Sequence, residues 1–149
     1  MKFDGRVRFR SSTRPDAGPP SEAEVQRLNP QRAQQILNAT GWNSLEPGSL
    51  NLTVDDSVLN ALLRFTPALT EDAANVQYPA QYQHIPKLRK AYYYYAGTAR
   101  VEKKHQPILV RRAHNPVPRR VELFAAVSLK DYFAVWEGDA VTVEIDESN

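Results

Sequence analysis

The chain of 149 residues has no cysteine, which excludes disulfide frameworks, thiol nucleophiles, Cys-ligated zinc and iron–sulfur clusters. It has no apolar run approaching the 18 or so residues that a spanning helix needs. Its opening, MKFDGRVRFRSS, lacks the apolar core of a secretory signal. The expected setting is soluble and cytoplasmic, with no membrane partner. Glycine is scarce, at six residues, and none falls in a GxxxxGK[ST] or GxGxxG pattern; HExxH is missing as well. The three histidines, His84, His105 and His114, have no short metal-ligand spacing. Regular strand–helix alternation is also missing, which argues against a doubly wound parallel sheet.

What is present fits one domain over residues 1–149. A chain of this size hides roughly 68–70% of its unfolded surface, enough for a full core without staples. Charge is unevenly spread. Residues 1–14 sum to +4, 15–86 to −5, 87–120 to +9 and 121–149 to −6, for +2 overall. Such blocks either build a basic surface suited to phosphates, in a nucleotide or a nucleic acid, or meet across neighbouring strands and neutralise each other.

Residues 3–9 alternate, with Phe3, Gly5, Val7 and Phe9 on one face and charged residues on the other, so they predict a half-buried strand. Residues 10–20 read as a loop. Ser21 and Glu24 form a capping box that opens a helix. Asn29 and Pro30 start a second one, with Ala33, Ile36 and Leu37 as its buried stripe and Gly41 as its end. Leu50, Leu52 and Val54 share one face of a strand. Asp55 or Asp56 caps a helix over 57–65 with Val58, Leu59, Leu62 and Leu63 as its apolar face. Residues 66–90 have no firm period and read as a long surface loop. Tyr92–Tyr95 predict a strand that Gly97 breaks or bulges; 99–104 and 107–113 are further candidate strands. If the tyrosines alternate, two are core and two are exposed, and the exposed pair could stack on a base or flavin ring. Residues 121–127 are almost wholly apolar. Ser128 and Asp131 cap a short helix, and Val141, Val143 and Ile145 mark a final strand. About six strands with short helices close most naturally into a small barrel, which leaves no exposed edge.

The most specific local feature is Pro47-Gly48-Ser49-Leu50-Asn51. Gly48 permits a left-handed turn. Ser49 and Asn51, two apart on an extended strand, point the same way. Two neutral oxygens there could help to hold Mg²⁺ whose other ligands are phosphate and water; the more usual reading of the spacing is a turn whose buried Asn satisfies neighbouring backbone groups.

Pro47-Gly48-Ser49-Leu50-Asn51-Leu52 resembles the PGTLN[VL] signature of the archaeal CTP-dependent riboflavin kinases, and Thr40-Gly41-Trp42 resembles the LGF shortly before it. Val121–Val127 followed by Ser128-Leu129-Lys130 is similar to that family's VIEIIAPVNLR stretch. Trp136-Glu137-Gly138-Asp139-Ala140-Val141 resembles its LKDGDEV close, and Phe3–Val7 its opening strand. The pieces fall in the family's order along nearly the whole chain. The resemblance implies a mainly β fold, a small six-stranded cradle-loop barrel with short helical inserts. It implies transfer of the γ-phosphoryl group of CTP, or another nucleoside triphosphate, to riboflavin, giving FMN. By position it places Ser49 and Asn51 at Mg²⁺, Glu122 at the flavin as a catalytic residue that would position the ribityl chain and take its 5′-hydroxyl proton, His114 near the flavin, and Val127, Ser128, Leu129 and Lys130 along the nucleotide. Where the family has a glycine-rich phosphate loop, this chain reads Phe9-Arg10-Ser11-Ser12-Thr13-Arg14. Arg10 and Arg14 would supply charge there, and Ser11, Ser12 and Thr13 hydroxyl groups. His114 replaces a Thr and Ala126 a Pro. In a binding role without catalysis the same barrel would hold a nucleotide or flavin, or a nucleic acid through the basic 87–120 segment and its tyrosines.

Overall fold

In the computed structural model, residues 1–9, 20–83, 91–116 and 119–147 are described. Six strands close a barrel: β1 (Lys2–Val7), β2 (Leu50–Thr53), β4 (Tyr92–Val101), β5 (Lys104–Ala113), β6 (Arg120–Phe124) and β7 (Ala140–Ile145). A short strand, β3 (Leu69–Glu71), adds to β4 outside the closed set. All pairings are antiparallel in the order β4-β5-β6-β2-β1-β7, and β7 returns to β4 through Gly97↔Ile145 to Arg100↔Thr142. No sheet edge is left inside that ring.

Alternation puts one side chain in two inside. Phe3, Val7, Leu50, Leu52, Ile108, Val110, Val121, Leu123, Val141, Val143 and Ile145 fill the barrel. Two helices stopper it. α3 (Asp56–Leu62) follows the end of β2, which pairs with the start of β6 through Thr53↔Arg120, and lowers Leu59 and Leu62 into the core. α4 (Leu129–Phe133) follows the end of β6, at the opposite mouth, and contributes Leu129 and Phe133. Outside the wall, α1 (Glu22–Leu28) and α2 (Pro30–Thr40) lie over β4, β5 and β6. There Ile36 packs with Tyr94, Leu109 and Phe124 in a second, smaller core. Among the described residues no helix is long and apolar enough to cross a membrane.

Two of the four expected side-chain caps are made, at Ser21 and Ser128; Asp55 precedes α3 but forms no cap hydrogen bond. Ser21 Oγ accepts from the Glu24 N–H at 3.2 Å and donates to Glu24 Oε1 at 3.1 Å. Ser128 Oγ accepts from the Asp131 N–H at 3.3 Å. α2 ends on Gly41 in the left-handed region. Asn29 precedes Pro30 as expected, but its side chain does not cap. It accepts from the Gln77 N–H at 2.7 Å and donates to the Val25 and Gln77 carbonyls at 2.6 Å each.

Four expectations need correction. Gly97 neither breaks nor bulges its strand: β4 runs unbroken from Tyr92 to Val101, fully paired with β5. A Cβ at Gly97 would collide with the backbone carbonyl of Glu144, so glycine is what lets β7 close the barrel. Leu63 is not on the apolar face of α3, which ends at Leu62; it is 54% exposed. The described part of 66–90 is no bare surface loop, because β3, two 3₁₀ turns (Ala73–Asn75 and Ala80–Tyr82) and the buried Tyr78 anchor it. In the stripe of α2, Ala33 and Leu37 are half-buried, and the residue buried alongside Ile36 is Arg32.

Candidate functional site

A polar row crosses the outer wall of the barrel on directly opposed positions. The Arg8 N–H, just past β1, donates to the Asn51 carbonyl at 3.0 Å. Asn51 stands opposite Glu122, Glu122 opposite Arg111, and Arg111 opposite Tyr94. The row starts near solvent at Arg8 and ends under α2 at Tyr94, which is fully buried. Beside its open end, the Ser49 hydroxyl donates to Asn51 Oδ1 at 3.4 Å. Gly48 has φ 94°, so the turn before β2 takes the left-handed conformation its sequence permits. The Glu46 N–H holds that turn to the Ala125 carbonyl at 2.9 Å.

The covered end of the row is a network of buried charges. Arg111 Nε and Nη2 donate to Glu122 Oε2 at 2.6 and 2.5 Å, and Nη2 also reaches Glu22 Oε1 at 2.7 Å. Arg32 grips Glu71 with both arms of its fork, Nε at 2.9 Å and Nη2 at 2.7 Å, while its Nη1 meets both oxygens of Glu22 at 2.9 Å. The Tyr94 hydroxyl donates to Glu71 Oε1 at 3.2 Å. The Arg111 guanidinium lies 4.2 Å from the Tyr92 ring centroid and 4.8 Å from that of Phe124. Burial alone would raise the Glu22 carboxyl, but Arg111 and Arg32 together outweigh it and hold Glu22 below the ordinary carboxylate value. For Arg111, burial opposes the charged form, and Glu122 and Glu22 overcome it, so its pKa is raised. Burial raises the Tyr94 hydroxyl, which stays protonated as a donor.

Lys130 lies at the mouth closed by α4. Its ammonium sits 4.7 Å from the Phe9 ring centroid and 6.0 Å from that of Trp136. Phe9 and Trp136 meet edge to face at 6.4 Å. Val127 is 37% exposed, Ser128 is spent as the cap of α4, and Leu129 is turned into the barrel core.

The residues expected to act together thus fall into three places. Ser49, Asn51 and Glu122 are neighbours on the outer wall. Lys130 belongs to the α4 mouth, linked to Asn51 through Arg8 and Phe9. His114 follows β5 at the opposite mouth, where Nδ1 is 2.8 Å from the Tyr93 hydroxyl and the two rings meet edge to face. Arg10, Ser11, Ser12, Thr13 and Arg14 lie outside the described residues, as do His84, Lys87, Arg89 and Lys90. None of the four consecutive tyrosines is an exposed ring: Tyr94 and Tyr95 are buried, and Tyr92 and Tyr93 are half-buried. The basic 87–120 segment is also less of a surface than its charge count implies. Arg111 is in the buried network, and Arg112 donates to the carbonyls of Leu59, Ala113 and His114.

Sequence reasoning missed Glu22, Arg32, Glu71 and Arg111, because charged side chains read as solvated. The available signal was Arg32 in phase with Ile36 on α2. It also missed the Phe9–Trp136 pair.

Among the described residues no group of three or more His, Asp or Glu could hold a metal ion. Ser49 and Asn51 fit a more limited role. Neighbouring oxygens of an octahedral Mg²⁺ at about 2.0–2.1 Å stand about 3 Å apart, close to the 3.4 Å between Ser49 Oγ and Asn51 Oδ1. Being neutral, the pair suits a metal that arrives already bound to phosphate. Compared with known proteins, the chain matches no family model and no curated sequence. Its closed six-stranded barrel with helical inserts is consistent with the cradle-loop barrel superfamily. The fold is compatible with a nucleotide- or flavin-binding barrel.

Proposed function

We propose that this barrel binds a nucleoside triphosphate of the CTP type with Mg²⁺ and transfers its γ-phosphoryl group to riboflavin, giving FMN. The observation that carries the reading is the convergence of Ser49 Oγ and Asn51 Oδ1, at 3.4 Å, beside Glu122 on the next strand. Phosphoryl transfer asks a protein mainly for alignment and charge neutralisation. Mg²⁺, when bound, would offset the charge of the phosphates. Ser49 and Asn51 supply two neutral ligands and fix where the terminal phosphate points. Arg10 and Arg14 supply positive charge, and Ser11, Ser12 and Thr13 hydroxyl donors, from the segment after β1.

Glu122 has a narrower part. Arg111 occupies its Oε2, and Oε1 lies 4.0 Å from Arg120. A carboxylate held between two guanidinium groups is a well-oriented acceptor. It holds the terminal ribityl hydroxyl in line with the phosphorus. The hydroxyl oxygen then forms the new P–O bond, the bond from the γ-phosphorus to the bridging oxygen breaks, and the proton passes to solvent.

The hold of Arg111 on Glu122 also favours a second reading, a barrel that binds nucleotide or flavin without catalysis. One assay separates them. The protein is incubated with riboflavin, Mg²⁺ and either CTP or ATP, and FMN is followed by chromatography. The kinase reading expects Mg²⁺-dependent FMN from one donor, lost in an Asn51→Ala variant that melts like the parent. Retention of riboflavin or nucleotide with no FMN from any donor overturns it in favour of the binding barrel.

A further inference from the structure

Trp136 is 70% exposed, the most exposed large hydrophobic side chain among the described residues. Its backbone is nonetheless tied down by hydrogen bonds. The Trp136 N–H donates to Asp139 Oδ2 at 2.8 Å, and the Asp139 N–H returns to the Trp136 carbonyl at 3.0 Å. The Phe9 N–H donates to Glu137 Oε2 at 2.6 Å, which fixes the strand end that carries Phe9 to the turn that carries Trp136. Phe9 braces the indole edge to face at 6.4 Å, and the Lys130 ammonium sits against both rings. Elsewhere, at Tyr132 on α4, Lys104 repeats the motif: its ammonium lies 5.6 Å from the Tyr132 ring centroid and donates to the Tyr132 carbonyl at 3.1 Å.

An indole exposed on a hydrogen-bonded turn, with the Lys130 ammonium against it, is built for a planar ring that carries negative charge. Base stacking on an aromatic side chain is worth about 1–3 kcal/mol and needs no hydrogen-bond readout. An apolar protein surface is a poor match, because each ring of the patch has an ammonium against it that would have to be desolvated. The patch is also continuous with the outer-wall row. Phe9 is the residue after Arg8, whose N–H is bonded to Asn51.

We infer that Trp136, braced by Phe9, is the platform on which the base of the bound nucleotide stacks, with Lys130 at its rim facing the phosphates. The inference rests on the reading that this barrel takes a nucleotide, and it assigns to the described α4 mouth the stacking role that the four tyrosines do not fill.

Trp42 and Trp136 are the two tryptophans of the chain, and Trp42 packs against the second core. A Trp42→Phe protein therefore reports on Trp136 alone. Its emission is followed during titration with CTP, ATP and inorganic triphosphate, each with Mg²⁺, and with a short single-stranded oligonucleotide, while calorimetry measures binding to the parent. The expected result is quenching by a nucleoside triphosphate but not by inorganic triphosphate. Trp136→Ala should weaken nucleotide binding about 5- to 150-fold and leave inorganic triphosphate unaffected, and Trp136→Phe should restore most of the loss. Calorimetric binding of nucleotide with unmoved emission and unchanged affinity in Trp136→Ala overturns the platform while the proposed function stands. Quenching by the oligonucleotide alone, with a steep salt dependence, overturns it in favour of a nucleic-acid surface. Absence of calorimetric nucleotide binding by the parent removes the proposed function, and the platform with it.

Discussion

Two nitrogens of Arg111 donate to one oxygen of Glu122 across adjacent strands, and the same Arg111 Nη2 reaches Glu22 on α1 at 2.7 Å. One guanidinium therefore joins the barrel wall to the helical hairpin that covers it. Arg32, from α2, repeats the arrangement with Glu22 and Glu71. The side chains of both arginines are nearly sealed, at 3% and 2% exposure. Breaking a buried pair by deleting one partner strands the other charge and costs about 3–5 kcal/mol. Arg111→Ala is expected to lose stability on that scale in urea unfolding. A loss below about 1 kcal/mol would mean that the Arg32 pairs and the apolar contacts of Ile36 hold the hairpin without Arg111.

The same network sets an acid limit. Glu22 has a folded pKa below its ordinary 4.5. On acidification the unfolded chain takes up this proton first, so the stability Glu22 contributes is complete above about pH 4.5 and is lost as pH falls through the depressed folded value. Glu22→Gln is expected to be less stable at neutral pH and to show a shallower loss between pH 5 and acid, read from urea midpoints at each pH. Parallel profiles for the two proteins would remove Glu22 from the acid response.

Gly97 makes a separate steric prediction. Its missing side chain is where β7 passes, against the Glu144 carbonyl. Gly97→Ala must push that strand away and is expected to cost about 1–3 kcal/mol or more. A thermal melt checks it. An unchanged melting temperature would mean that the β4–β7 closure is looser than its pairing indicates.

Much of the barrel is legible in the sequence because its strands obey a period of two. Leu50, Leu52 and Val54 and the run Val141, Val143, Ile145 announce their inward faces, and the Ser21 and Ser128 caps announce two helices. Three kinds of feature are not legible. β3 spans only Leu69–Glu71, too short for a period, and is held by pairing with Tyr92–Tyr94 that local sequence does not encode. Gly97 looks like a break because its reason, the approach of Glu144, is 47 positions away along the chain. Arg32, Arg111, Glu22 and Glu71 look like surface residues because burial of each makes sense only with the others in place. The Ser49–Asn51 pair was readable from spacing; that Glu122 stands opposite Asn51 required the β2–β6 register.

The central claim is that the end of the barrel bearing Ser49 and Asn51 takes a nucleotide together with a divalent cation. Isothermal titration of the protein with CTP and with ATP, in Mg²⁺ and then in EDTA, tests it most directly. The account predicts saturable binding of a nucleoside triphosphate in Mg²⁺ that weakens at least tenfold in EDTA and in Asn51→Ala. Binding of equal strength in Mg²⁺ and EDTA, or no binding of either nucleotide by a folded protein, would contradict it.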